Sequence, residues 1–401
     1  MPHAGKRSVA SLGAALATLE AAQLRRKRLT VTGFGAPEQR ILLTADGRTL
    51  VDFSSNDYLG LTRHPALARA MGECALELGA GRGASHLITG HGAEHARLEQ
   101  ELADFTQRER ALLFSTGYMA NLAVMSALAG RAHQVLLDRL SHASLIDGAR
   151  LCGAQLRRYG HADAASAERL ATAAPGRTTI IATDGVFSMD GDLAPLPPLA
   201  QAAAAHDAWL VVDDAHGLGV IGASGRGSLE HYGLGEREVP VLIGTLGKAF
   251  GCFGAFVAGS RALIEYLMQK ARTYIYTTAL PQPVAAATRA ALRLAQAEGW
   301  RRARVMELTA RFRRAAAAGG VPLAPSATPI QPVLCGSAGR ALAAQRALAQ
   351  RGFWVVAIRP PTVPAGSARL RVTLSAAHTE REVDALAAEL AVLTRAGGAA
   401  G

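Results

Sequence analysis

The chain reads as an α/β protein, with a mostly parallel sheet covered on both faces and a smaller C-terminal α+β unit behind it. Three observations carry that reading. From Leu112 onward, short apolar runs alternate with helical stretches. Several of those runs end in a carboxylate or glycine and pass into polar loops, as parallel strands do where they leave a sheet. The alternation then stops at Leu280-Pro281-Gln282-Pro283, where a long Ala- and Arg-rich helical stretch begins.

Taken in order, residues 10–27 have helical spacing and form an N-terminal arm. Residues 40–52 are expected as short strands about the turn Asp46-Gly47. Strands follow at 112–114, 134–138, 178–183, 209–213, 239–244 and 255–258, where runs of three to six mostly apolar or β-branched residues sit between polar segments. Helices are expected between them at 118–129, 144–152 and 199–206. Beyond the break, 285–318 reads as one long helix, 330–334, 354–357 and 369–373 as strands, and 341–351 and 380–394 as helices. The expected units are an arm over residues 1–48, a large unit over 49–284 and a small unit over 285–401.

Composition excludes several classes. Hydrophobic content of 49% and charged content of 19% are globular values. No apolar run approaches the ~20 residues of a membrane span. Residues 1–22 start basic, but their apolar stretch is short and interrupted, a poor match to a signal peptide. Cys74, Cys152, Cys252 and Cys335 are widely spaced, which suggests neither a disulfide framework nor a metal site and fits a reducing cytoplasm. The net charge of +11 comes from dispersed arginines without aromatic platforms, so nucleic-acid binding is not expected. An acidic ligand or an acidic carrier protein is a better use of that charge.

Lysine usage singles out one position. Of the 43 Lys and Arg residues, only Lys6, Lys27, Lys248 and Lys270 are lysines. Lys248 lies in Gly244-Thr245-Leu246-Gly247-Lys248-Ala249-Phe250-Gly251, with no other charge nearby in sequence. Such surroundings desolvate an ammonium, lower its pKa and make the amine a nucleophile for Schiff-base chemistry. A nucleotide phosphate loop is the competing reading, but that motif fails here at Leu242 and Ala249.

The residues just after each strand supply further candidates. Asp213, with His216 three residues on, ends a buried-looking strand, and a carboxylate there can keep a pyridinium nitrogen protonated. Gly117 and Tyr118 open a helix directly after a strand, where free N–H groups bind phosphate. Thr245 can add a hydroxyl to the same group. His142 sits in a loop where an imidazole can stack on a flat ring, although a capping role for Ser141 or Ser144 with His142 as bystander reads equally simply. Ser188 lies in an acidic turn, Met189-Asp190-Gly191-Asp192. A phosphate cradle, a ring stacker, a pyridinium partner and a Schiff-base lysine together meet the needs of pyridoxal 5′-phosphate.

With these residues in place, the chain resembles the fold-type I (aspartate-aminotransferase-like) pyridoxal-phosphate enzymes, and more closely the α-oxoamine synthases. The resemblance runs from about Leu24 to Leu390. It rests on Phe53-Ser54-Ser55-Asn56-Asp57-Tyr58-Leu59-Gly60-Leu61, Asp138-Arg139-Leu140-Ser141-His142-Ala143-Ser144-Leu145, Gly185-Val186-Phe187-Ser188-Met189-Asp190-Gly191-Asp192, Val212-Asp213-Asp214-Ala215-His216-Gly217 and Thr245-Leu246-Gly247-Lys248. The stretch Ile358-Arg359-Pro360-Pro361-Thr362-Val363-Pro364-Ala365-Gly366 is similar to the branch that serves biotin synthesis.

The resemblance implies that Lys248 carries the cofactor, Asp213 pairs with its ring nitrogen, His216 bonds its ring hydroxyl and His142 stacks on the ring. Gly117, Tyr118 and Thr245 would hold the phosphate, with Ser188 close by. Arg371 would hold the amino-acid carboxylate, and Arg25 and Thr362 the acyl substrate. The implied reaction is a decarboxylative condensation of L-alanine with a pimeloyl thioester, carried by coenzyme A or an acyl carrier protein. A glycine-using α-oxoamine synthase, or a non-catalytic carrier-binding protein, are the alternatives. A homodimer with shared sites is implied too, with Tyr276-Thr277-Thr278 either reaching a neighbour's phosphate or packing in the core. Two departures are the loop Gly79-Ala80-Gly81-Arg82-Gly83-Ala84-Ser85-His86 and Leu246, where relatives often carry Phe.

Overall fold

The computed structural model describes residues 9–36, 39–174 and 176–398; Lys6, the first eight residues of the expected arm and the last three residues of the chain lie outside them. The arm holds a helix at Val9–Ala21, shorter than the 10–27 expected, because the chain leaves helical geometry at Gln23 in a left-handed turn. Strands β1 (Val31–Phe34), β2 (Ile41–Thr44) and β3 (Thr49–Asp52) follow as an antiparallel ribbon.

The central sheet holds β4 (Arg110–Phe114), β5 (Gln134–Asp138), β6 (Gln155–Tyr159), β7 (Thr179–Asp184), β8 (Trp209–Asp213), β9 (Val241–Thr245) and β10 (Ala255–Gly259). Their order is β4-β10-β9-β8-β7-β5-β6, and β10 alone runs antiparallel to its neighbours β4 and β9. Successive side chains leave a strand on opposite faces. So Val135, Leu137, Ile180, Val211 and Ile243 pack to one side, in one cluster with Val124, Leu145 and Ile264 from the helices Gly117–Leu128, Ala143–Leu151 and Arg261–Lys270. Leu136, Ile181, Leu210, Val212 and Leu242 pack to the other, with Leu199 from the helix Leu196–Ala205.

The edge strand β6 was not expected. Its sequence Gln-Leu-Arg-Arg-Tyr is half-exposed and lacks the apolar run that marks the inner strands. The helices Pro65–Leu78 and Ala93–Thr106 were not expected either; each buries only part of its surface and carries many charges.

Beyond the break, the stretch expected as one helix is two, Gln282–Ala297 and Trp300–Ala318. Glu298 leaves helical geometry and Gly299, a weak helix former, begins the next helix. Strands β11 (Ile330–Gly336), β12 (Phe353–Trp354), β13 (Val356–Ile358) and β14 (Ala368–Thr373) complete the chain with the helices Ala338–Gln350 and Glu380–Gly398. β11-β14-β13 form a small antiparallel sheet, whereas β12 crosses back to pair in parallel with β3. Among the described residues, no helix is long and apolar enough to cross a membrane.

Candidate active site

Four adjacent strands end in line. Asp213 of β8 stands in register with Asp184 of β7 and with Ile243 of β9, two residues before Thr245; Asp138 ends β5 on the far side of β7. Beyond these ends lies a cavity of about 270 Å³ lined by Ser54, Asn56, His142, Ser188, Met189, His216, Lys248, Val356, Ile358 and Arg371. The structure thus brings together Lys248, His216, His142, Ser188 and Arg371, five residues separated by up to 229 positions in sequence.

Lys248 sits three residues past the end of β9, and its Nζ is 2.9 Å from His216 Nε2. Burial penalises the ammonium and lowers its pKa to about 8, although the carboxylate of Asp213 pulls the other way. The lysine with no charge near it in sequence therefore has carboxylates near it in space. The opposite nitrogen of His216, Nδ1, is 2.6 Å from the Tyr58 hydroxyl. Burial holds His216 well below its usual pKa, and Lys248 and Arg371 add to the effect. Burial likewise pushes Tyr58 up to about 12. At neutral pH the Tyr58–His216–Lys248 chain therefore contains a neutral phenol and a neutral imidazole.

Asp213 is buried, and its two oxygens accept from Asn121 Nδ2 (2.7 Å) and from the Ala215 amide (3.1 Å). Asn121 also donates to Ser144 Oγ at 2.7 Å. Asp184, buried beside it, accepts from the His142 amide at 2.9 Å, and burial raises its carboxyl well above the usual range.

The His142 ring is exposed on the cavity side, and its Nδ1 accepts from the Ser144 amide at 3.3 Å. This overturns the bystander reading: His142 itself, rather than Ser141 or Ser144, caps the helix Ala143–Leu151. Capping fixes the ring, and desolvation on its protein-facing side lowers its pKa, opposed by Asp213.

Gly117 begins the helix Gly117–Leu128 behind the N-cap Thr116, and a Cβ built on it would meet nothing within 4 Å. The helix start thus faces open space, with free N–H groups. The Tyr118 side chain turns outward to Asp147, so only its amide is available at this end. Thr245 Oγ1 donates to the Gly254 carbonyl at 3.1 Å.

Arg371 is buried. It donates from Nε to the Ser188 carbonyl at 2.6 Å and from Nη1 to Asn56 Oδ1 at 3.0 Å. Arg25 and Thr362 are not in this cavity. They line a second, larger one of about 670 Å³, which shares Val356 and Ile358 with the first. Seven basic side chains line it, Arg25, Arg26, Lys27, Arg28, Arg48, Arg346 and Arg359, against the single carboxylate of Glu20. Arg25 pairs with Glu20 at 3.3 Å, and it is Arg26 that bonds the Thr362 hydroxyl at 3.2 Å.

Tyr58, Asn56, Asn121 and Asp184 were not singled out from the sequence. Tyr58 and Asn56 sit inside the recognised segment Phe53–Leu61, and Asn121 lies one helical turn past Gly117. That turn was the available signal, since position i+4 faces the same way as i.

The residues present suit pyridoxal phosphate. A neutral amine is available near pH 8, a buried carboxylate keeps acceptor capacity beyond its two donors, and an open helix N-terminus lies one turn from the asparagine that holds it.

The comparisons with known proteins agree. A family model for class I and II aminotransferases matches residues 48–390. The chain is 59% identical over 364 residues to the 8-amino-7-oxononanoate synthase of Thioalkalivibrio sulfidiphilus, covering 90% of this chain and 92% of that protein. It is 57% identical over 377 residues to that of Methylococcus capsulatus, covering 94% and 96%. Among solved structures, a serine palmitoyltransferase from S. paucimobilis superposes with a TM-score of 0.92 at 29% identity, covering 98% of this chain and all of the other. An 8-amino-7-oxononanoate synthase from Francisella tularensis superposes at 0.76 and 31% identity, covering 87% and 98%.

The chain belongs to the class I and II aminotransferase family, with the fold-type I architecture of pyridoxal-phosphate-dependent enzymes. Within that fold it is an enzyme of the 8-amino-7-oxononanoate synthase group, the acyltransferases of biotin synthesis.

Proposed function

We propose that the chain condenses L-alanine with a pimeloyl thioester, releasing CO₂ and the free carrier and forming 8-amino-7-oxononanoate. The observation that carries this reading is the meeting of Lys248, His216, His142 and Arg371 around one cavity. Lys248 holds the cofactor covalently through its amine. Bound pyridoxal phosphate supplies an electron sink for the carbanion formed at the alanine Cα.

The protein's own groups do the rest. Arg371, fixed by Ser188, Asn56 and Thr373, presents the two N–H bonds of Nη2 to the alanine carboxylate. The freed Lys248 amine takes the Cα proton, a role its pKa of about 8 suits near neutrality. Asp213 keeps the ring nitrogen protonated. His216, tied to Tyr58, would bond the cofactor's ring hydroxyl, and His142 would cover the ring face. The amides of Gly117 and Tyr118, with Thr245 nearby, hold the phosphate.

Arg25 and Thr362 bind the acyl chain in the second cavity. The basic lining there suits an anionic carrier, whether coenzyme A or an acidic carrier protein. We read residues 1–48 as the arm, 49–284 as the cofactor-holding unit and 285–401 as the unit that brings Arg371.

A homodimer with shared sites fits the exposed apolar side chains near the open phosphate end. The Ser85–Thr278 bridge brings Leu87 and Ile88 near Tyr276, which is 71% exposed. Sedimentation of an active monomer would rule the shared site out. Product identification by mass, after mixing the holoenzyme with alanine or glycine and each pimeloyl thioester, tests the reaction itself. Product from glycine alone would move the chain to a glycine-using sister activity.

A further inference from the structure

His161 lies outside the cavity, just past the edge strand β6, and is held from both sides. Its Nδ1 is 3.1 Å from Asp138 Oδ1 and its Nε2 is 2.8 Å from Asp192 Oδ2. The edge of its ring meets the Phe187 ring, centroids 4.4 Å apart at 82°. The two carboxylates belong to two different loops of the site. Asp138 organises the first: Oδ1 accepts from the Leu140 amide and Oδ2 from the Ala162 amide, and its carbonyl accepts from the Ser141 amide, directly before His142. Asp192 closes the second, in which Phe187 N–H donates to the Asp192 carbonyl and Gly191 N–H to that of Phe187.

The second loop is held on its other flank by the C-terminal part. Arg369 donates to the Met189 carbonyl (3.1 Å) and Asp190 (2.6 Å), Arg371 to the Ser188 carbonyl, and Ser326 and Thr328 to the Gly191 carbonyl. His161 is thus the joint between the loop carrying His142 and the loop against which Arg371 is seated.

We propose that His161 is a positioning residue: as a cation clamped between Asp138 and Asp192, it sets the His142 ring and the Arg371 guanidinium at their working separation. The proposal rests on the reading of the 270 Å³ cavity as the reacting site. Both ring nitrogens face carboxylates, and only an imidazolium donates from both. Burial lowers the ring's pKa, but the bonds to Asp138 and then Asp192 outweigh it and push it up to about 10. Among the described residues, the other ionisable groups that act on Asp138 are Arg158, Tyr159 and Asp184, and no further ionisable group bonds the ring. The clamp is therefore intact at neutral pH and opens as pH rises through about 10.

The test uses the holoenzyme of wild type, His161→Gln, Asp192→Asn and the double variant. For His161→Gln, KM for L-alanine should rise about tenfold with a smaller change in kcat. Amide hydrogen exchange, read by mass, should quicken together in peptides covering 138–144 and 186–193. Asp192→Asn should give the same paired pattern, and the double variant should be no worse than His161→Gln alone. Faster exchange confined to the neighbourhood of residue 161 with KM unchanged would overturn the proposal, as would losses in the double variant that simply add. Should His161→Gln fail to fold, Asp192→Asn carries the test alone. Hydrogen exchange is read on the holoenzyme without an acyl donor, so a wrong acyl assignment disturbs the kinetic arm but leaves the paired-peptide result interpretable.

Discussion

On one side of Val356 and Ile358 the polar side chains are mostly half-buried or buried and bonded to neighbouring groups; on the other they are mostly exposed and nearly all of one sign. The smaller cavity shifts the ionisation of its groups, as Lys248 and His216 show, and Tyr58 behind His216 is shifted too. The larger one keeps most of its basic side chains in contact with water. Low dielectric makes each charge count in the first and allows chemistry. High dielectric in the second allows attraction of an anion over a distance but little precision, and salt weakens it. One region changes what its residues are, and on the proposed reading the other collects what the first uses.

The largest expected effect falls in the first region. Lys248→Ala should lower turnover by roughly 10³-fold or more and abolish the absorbance of covalently held cofactor. Retained absorbance and turnover would erase the contrast. Asp213→Asn should keep the fold and lower kcat by about 10²-fold, because the ring nitrogen loses its anionic partner. Steady-state kinetics beside a circular dichroism spectrum check both halves.

The pH dependence of cofactor capture sharpens the comparison. Attachment requires the neutral amine, so the rate of pyridoxal phosphate uptake by apoprotein should fall about tenfold per unit as pH drops below the Lys248 pKa of about 8. A midpoint at 10 or above would mean that the amine is not desolvated. The second region should give the smallest effect. Arg25→Ala should raise KM for the thioester by about tenfold or less and flatten its salt dependence, with KM for alanine unchanged. An equal effect on alanine would merge the two regions into one.

Much of this division was legible in the sequence. Strand ends could be read because β5, β7, β8 and β9 are apolar runs broken by a carboxylate or a glycine, and Lys248 stood out by composition alone. His142 was found, but its capping of its own helix was not, since that depends on where the ring turns. Tyr58 and Asp184 were passed over for a related reason. They reach the site through a contact across 158 residues with His216 and through register with Asp213, and neither leaves a local pattern. The edge strand β6 shows the same limit from the other side: half-exposed residues carry too weak a period to be read.

The return of β12 to pair with β3 has a consequence for the order in which the protein comes into being. The first ribbon keeps an open edge at β3 until residues 353–354 have been synthesised. Ser54, which lines the cavity, donates its hydroxyl to the Trp354 carbonyl and accepts from the Val356 amide. A nascent chain can thus complete its central sheet early, yet must carry an unpaired N-terminal edge through most of translation, exposed to association with other chains. The seat for substrate closes only when the last eighth of the chain has left the ribosome, so truncated products should aggregate rather than hold substrate.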